Sequence, residues 1–161
     1  MRKKGDTWNE SEVHTDAVTL RQVRRITRNA DYNMTPNYHT NTAFSADGEF
    51  LVFVSIWSGG GAILRCHVPT ADLTQVTGVH ASADAPVLAP RSGWAVFADG
   101  CALRAVNIHT LQERTLCQVA PHLRIARPSI DGEERNVVFP THPLHPEIAA
   151  GCRRSPPGRI T

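Results

Sequence analysis

From Val18 to Phe139 the chain is a series of short apolar runs broken by turn residues, and helical periodicity is scarce while strand alternation is plentiful. Three segments share one pattern: Ala43–Phe53, Val87–Phe97 and Pro128–Phe139. Each opens with a short strand, passes a polar turn and ends in an apolar strand closed by phenylalanine. The closing residues Phe53, Phe97 and Phe139 stand 44 and 42 residues apart. A similar strand leads into each segment: Arg24-Arg25-Ile26-Thr27, Leu73-Thr74-Gln75-Val76-Thr77 and Arg114-Thr115-Leu116-Cys117. After the first two, another alternating strand follows, Ala62–Val68 and Ala102–Ile108. Asp47-Gly48, Ser92-Gly93 and Asp131-Gly132 are hairpin dipeptides, because glycine accepts positive φ and aspartate bonds its own backbone.

A four-stranded unit recurring every ~40–45 residues is the mark of a propeller blade, and the alternative is a meander in a barrel or sandwich. The expected fold is all-β: a partial β-propeller of about two to three four-stranded antiparallel blades, from a ring that normally closes with ~4–8. Residues 1–17 carry mixed charge and one aromatic, Trp8, and predict an N-terminal arm. Residues 18–139 hold the incomplete blades. Residues 140–161, with Pro140, Pro143, Pro146, Pro156 and Pro157, show no strand pattern and predict a disordered tail. The repeats stop within a blade, as a truncated or frame-shifted reading frame would produce.

Composition narrows the function little. Apolar residues make up 41% and the formal charge is +2, ordinary values for a soluble domain. The basic run Arg21, Arg24, Arg25 and Arg28 is too narrow for a nucleic-acid footprint and reads as a solvated strand face. No stretch approaches a membrane helix, and Gly5–Asp16 is too polar for a signal peptide, so the expected location is the cytoplasm. Cys66, Cys101, Cys117 and Cys152 lack C-x-x-C spacing, and three sit in or beside alternating apolar runs as buried thiols would. His142 and His145 are flanked by prolines that forbid a helix to align them. Trp57-Ser58-Gly59-Gly60-Gly61 has no following Lys-Ser/Thr and reads as a hairpin loop, not a phosphate cradle.

The run Gln22-Val23-Arg24-Arg25-Ile26-Thr27, then Asn37-Tyr38, then Phe44-Ser45-Ala46-Asp47-Gly48 and Leu51-Val52-Phe53, resembles the first blade of the oligogalacturonate lyases. Thr74-Gln75-Val76-Thr77-Gly78 is similar to that family's opening of the next blade, and the likeness covers roughly residues 8–139. His39 and Thr40 depart from the pattern, standing where the family tends to have aromatics. The resemblance implies β-elimination of short galacturonate oligomers in pectin breakdown, with oligogalacturonate as partner and divalent manganese as the full-length family's cofactor. A cation on the carboxylate acidifies the adjacent C–H, and a base removes the proton. The family's metal ligands come from later blades, so no cofactor, metal ligand or catalytic residue is assigned in this chain. Inactivity of the chain alone is the expectation. Tyr38 and His39 are the substrate-binding candidates, from a loop that in propellers often faces the central channel. The competing readings are a fragment of a non-enzymatic WD40/Tol-like propeller that binds proteins, and an orphan fragment with no function of its own. Open blade edges predict self-association.

Overall fold

The computed structural model describes residues 2–34, 41–57, 60–80 and 84–144, and among these there is no helix. Gly5 donates its N–H to Gln75 O, and β1 (Thr7–Trp8) begins the chain's regular structure. Next come β2 (Glu12–Thr15) and β3 (Gln22–Arg25), paired as an antiparallel hairpin. Buried Glu10 anchors the far side of this hairpin, accepting from Arg28 N at 3.0 Å and Asn29 Nδ2 at 2.7 Å.

The first blade follows: β4 (Tyr32–Met34), β5 (Phe50–Trp57), β6 (Gly60–His67) and β7 (Asp72–Gln75), with β1 added outside β7. The innermost position is shared. β4 pairs with the far end of β5, and Phe44 bridges Leu51 at its near end. The second blade is β8 (Val87–Ala89), β9 (Trp94–Asp99), β10 (Ala102–Asn107) and β11 (Glu113–Gln118), hydrogen-bonded in that order from inside to outside.

The remaining strands are β12 (Leu123–Ile125), β13 (Ser129–Ile130), β14 (Val137–Val138) and β15 (Thr141–Pro143). β13 pairs with β14, and β12 pairs with β15. Together β14 and β15 continue one course, as β5 does in the first blade, while β12 and β13 share its inner side as β4 and Ala43–Phe44 do. Beyond Phe139, where no strand pattern is legible, the backbone therefore still pairs. Pro140 and Pro143 are tolerated because their carbonyls and neighbours supply the bonds: Ala126 N donates to Pro140 O at 3.1 Å and Leu144 N to His122 O at 2.7 Å.

All-β architecture in open antiparallel units is thus a partial propeller. The blades pack through apolar faces, because each strand turns alternate residues to opposite sides. Val52, Ile63 and Val76 of the first blade meet Leu88, Ala95, Phe97, Val106 and Ile108 of the second. Phe53 points the other way, into Leu64, Cys66 and Leu73, and Trp8 and Ile26 cover it. Phe139 packs on the second blade's far face with Val96, Leu103 and Leu116. All three repeat phenylalanines therefore face the preceding blade position. Phe97 is fully buried, Phe53 nearly so, and Phe139 half-buried.

The inner hairpin turns differ. Gly48 (φ +74°) and Gly93 (φ +72°) take the left-handed region in the first two, whereas in the third Glu134 does (φ +60°). Asp47 and Asp131 cap their turns, accepting from Glu49 N at 2.9 Å and Arg135 N at 2.8 Å. The Ser45 hydroxyl and the Glu49 N–H hold the Asp47 carboxyl below its ordinary value.

Candidate functional site

Tyr38 and His39, the substrate-binding candidates, lie outside the described residues, as do Cys152 and His145. Their flanks are described. Met34 pairs with Val54, while Ala43 O accepts from Val52 N at 2.9 Å. Segment 35–40 thus joins two stretches of the first blade's innermost strand. Thr42 Oγ1 fixes the exit by accepting from Phe44 N at 3.0 Å.

Inner segments of all three units meet beside that exit. Asn41 and Thr42, Val87 and Leu88, and Ile130 to Gly132 line a cleft of about 220 Å³. Its floor is stitched turn to turn. Ala46 N donates to Pro90 O at 3.0 Å. Glu134 then accepts from Arg91 N at 2.8 Å and Ser92 N at 3.0 Å, with Arg91 Nε 3.5 Å away. Burial pushes the Glu134 carboxyl up, but the Arg91 and Ser92 bonds outweigh it and hold the group below its ordinary 4.5. The cleft's arginine is therefore ion-paired with a carboxylate. Arg91 also donates to Gly132 O, which leaves it poorly placed to receive an anionic sugar.

A second polar cluster lies in the seam between the first two blades. His80 reaches this seam because Gly61 and His80 exchange backbone bonds at 2.8–2.9 Å beside β6. His80 Nδ1 sits 2.9 Å from Asp99 Oδ2, and its Nε2 sits 3.5 Å from Glu113 Oε1. Arg104 lies between the same two carboxylates, at 3.7 Å from Asp99 and 3.2 Å from Glu113, and Lys4 reaches Glu113 at 3.2 Å. Register explains the meeting, since β10 places Arg104 opposite Phe97 and diagonal to Glu113 on β11. His80 Nε2 and Arg104 Nε approach Glu113 at ion-pair distance without hydrogen-bond geometry. Sequence spacing gives no hint of this cluster, because its members come from five separate segments.

Among the described residues no three His, Cys, Asp or Glu side chains converge to hold an ion. In the seam, Arg104 occupies the space between the carboxylates that a cation would need. The described cysteines are free thiols: Cys66 and Cys101 are buried and Cys117 is half-buried. Burial, aided by the nearby Asp72 carboxylate, pushes the Cys66 thiol up to about 11. The basic run on β3 is solvent-exposed, with Arg24 donating to Pro69 O at 2.9 Å.

No protein-family model matches the chain, and no curated protein does. Solved structures do, oligogalacturonate lyases among them. An oligogalacturonate lyase in complex with manganese aligns at a TM-score of 0.65 and 25% identity, over 78% of this chain and 34% of its own. An oligogalacturonate lyase from Vibrio parahaemolyticus aligns at 0.63 and 21%, over 76% of this chain and 33% of its own, a likeness of fold. The chain spans about a third of the length of either structure. Over some three-quarters of its length, then, this chain is a partial propeller that resembles the oligogalacturonate lyases.

Proposed function

We propose that the chain forms the opening blades of a propeller that cleaves oligogalacturonate by β-elimination, and that these 161 residues alone do not perform the reaction. The observation that supports the family reading is the alignment to the manganese-bound lyase at 25% identity over 78% of this chain. β-Elimination needs charge withdrawal from the uronate carboxylate, a base at the neighbouring C–H, and exclusion of water around both. The described residues supply none of the three together. Arg91 is paired with Glu134, the seam histidine is held between carboxylates, and among the described residues no metal-binding group converges. In water, charge effects on a bound oligomer are strongly screened. Tyr38 and His39, which follow β4 in the chain, are the proposed substrate contacts.

The test is to express residues 1–161, add short galacturonate oligomers with and without manganese, and follow the ultraviolet absorbance of the unsaturated uronate product. The expected result is no turnover above a metal-only blank. Turnover that His39→Ala abolishes would overturn the inactive reading and place the chemistry in the first blade. Weak saturable binding of the oligomers, lost in Tyr38→Ala, is the expected sign of the substrate contact, and unchanged binding would refute it.

A further inference from the structure

His80 is a largely enclosed titratable group to which the lyase reading gives no task. Both ring nitrogens stand against acids. Nδ1 lies 2.9 Å from Asp99 Oδ2 at the end of β9, and Nε2 lies 3.5 Å from Glu113 Oε1 on β11. The residue is fixed from behind by the first blade. Gly61 N donates to His80 O at 2.9 Å, and His80 N donates to Gly61 O at 2.8 Å. Gly60 admits this close approach, since a Cβ there would meet His80 O at 2.9 Å. The imidazole stands 5.4 Å from the Phe97 ring in the core of the seam. One residue thus joins the first blade, through its backbone, to the second blade, through two carboxylates.

The number of ring protons decides whether this arrangement is favourable. A neutral imidazole has one N–H and one lone pair. With the proton on Nδ1, the buried Nε2 lone pair lies against Glu113 with no donor to bond it. With the proton on Nε2, the Nδ1 lone pair stands at hydrogen-bond distance from the Asp99 carboxylate. Only the imidazolium sets a proton against each acid. The other charges in the cluster are Arg104 on β10, 3.7 Å from Asp99 and 3.2 Å from Glu113, and Lys4 of the N-terminal arm, 3.2 Å from Glu113. They offset both carboxylates and oppose a third cation. His80 nevertheless stands nearer Asp99 than Arg104 does, 2.9 Å against 3.7 Å. Asp84, on the same connection between the blades, accepts from Ala85 N. Only 13% of the His80 side chain is exposed, so water screens its contacts weakly.

We propose that His80 is a proton-dependent latch between the first two blades: doubly protonated it bridges Asp99 and Glu113, and loss of one proton loosens the seam. The sign follows from the linkage of proton binding to folding. In an unfolded chain a histidine gives up its proton at about pH 6.5. A latch that keeps the proton longer in the folded chain contributes fully below that pH. Its contribution falls as pH rises above it, by at most about tenfold in the unfolding constant per pH unit for one proton. The Glu134 clamp between the second blade and the third unit works in the opposite sense, since it is lost as pH falls. The two joints between successive units therefore weaken at opposite ends of the pH range. This inference is independent of the lyase reading, because it rests on the geometry of the seam alone.

The test uses the full 161-residue chain. Nitrogen-15 spectra of the imidazole rings show which ring nitrogens carry a proton. They are recorded at about pH 7.5, a unit above the ordinary histidine value. Both nitrogens of His80 should be protonated there, and a lone pair on either would overturn the proposal. Urea unfolding of the wild type and of His80→Gln is then compared between about pH 6 and 8.5. Glutamine carries no titrating group, so the wild-type unfolding constant should rise several-fold relative to the variant's across that range. A constant ratio would equally overturn the latch. Should His80→Gln fail to fold, the ring spectra of the unmodified chain still decide, with the His80 signals assigned through their bonded atoms.

Discussion

Truncating Phe97 probes the seam between the two complete blades directly. The ring is fully buried among Val52, Ile63, Val76, Leu88, Val106 and Ile108, with the His80 ring 5.4 Å away. A buried aromatic withdraws roughly 150–250 Å² from water. Less the part an alanine methyl keeps, at ~25 cal/mol per Å² that is ~3–4 kcal/mol. Both blades line the void and neither can collapse into it without separating from its neighbour, so Phe97→Ala should cost ~3–5 kcal/mol. Phe139 is half-buried beside a groove of about 150 Å³ that is already open, and its truncation leaves little new void. Phe139→Ala should cost ~1–2 kcal/mol on area alone. The assay is urea unfolding followed by tryptophan fluorescence, with Trp94 on the second blade as reporter. Should Phe97→Ala unfold the chain outright, Phe97→Leu gives a readable loss of ~1–2 kcal/mol. The argument fails if Phe97→Ala costs no more than Phe139→Ala, because the seam would then not be the principal core.

Gly93→Ala should destabilise by ~1–2 kcal/mol, since a Cβ there meets His109 Cδ2 at 2.6 Å with φ at +72°; Gly132→Ala, with nothing within 4 Å, should be neutral in the same melts. Glu134 has a folded pKa below 4.5, so its contribution is present above that value and is lost as pH falls through the lowered one. Glu134→Gln should accordingly flatten acid unfolding curves below about pH 4.5, and an unchanged slope would show that the Arg91–Ser92 clamp is not formed. Cys66, with its thiol pushed up to about 11, should resist alkylation in the native state and label at the rate of unfolding; fast labelling at neutral pH would contradict its burial.

The blade period was legible because Phe53, Phe97 and Phe139 do one physical job: each fills the space toward the preceding blade, so their spacing copies the repeat. The Asp47-Gly48 and Ser92-Gly93 turns were legible for the same reason, since glycine marks a left-handed backbone. The third turn escaped this reasoning because Glu134, not Gly132, takes the left-handed conformation, and its carboxylate is drawn to Arg91 across the gap. Strands β1 and β15 are too short for alternation to register. Trp8 alone carries the packing of the first, and Thr141–Pro143 is held by backbone bonds to which side chains give no clue. The candidate site was the least legible part. His80, Asp99, Arg104 and Glu113 become neighbours only once register and blade packing are fixed, and no local pattern encodes that.

One turn, in which a left-handed residue returns its N–H to the carbonyl four residues before it, joins β2 to β3, β6 to β7 and β10 to β11, and it has an evolutionary consequence. Leu20, Ala71 and Leu111 stand at its left-handed position, and Asp16, His67 and Asn107 at its accepting position. What descends from copy to copy is a pattern of main-chain bonds that any residue can make, at a strain of ~1–2 kcal/mol where glycine is not used. Selection on such a joint is nearly blind to side-chain identity, so duplicated units drift apart in residues while staying superimposable in backbone. That leaves lineages of this architecture recognisable by shape long after their residues have diverged, and substitution at the outer turns a poor clock for their history.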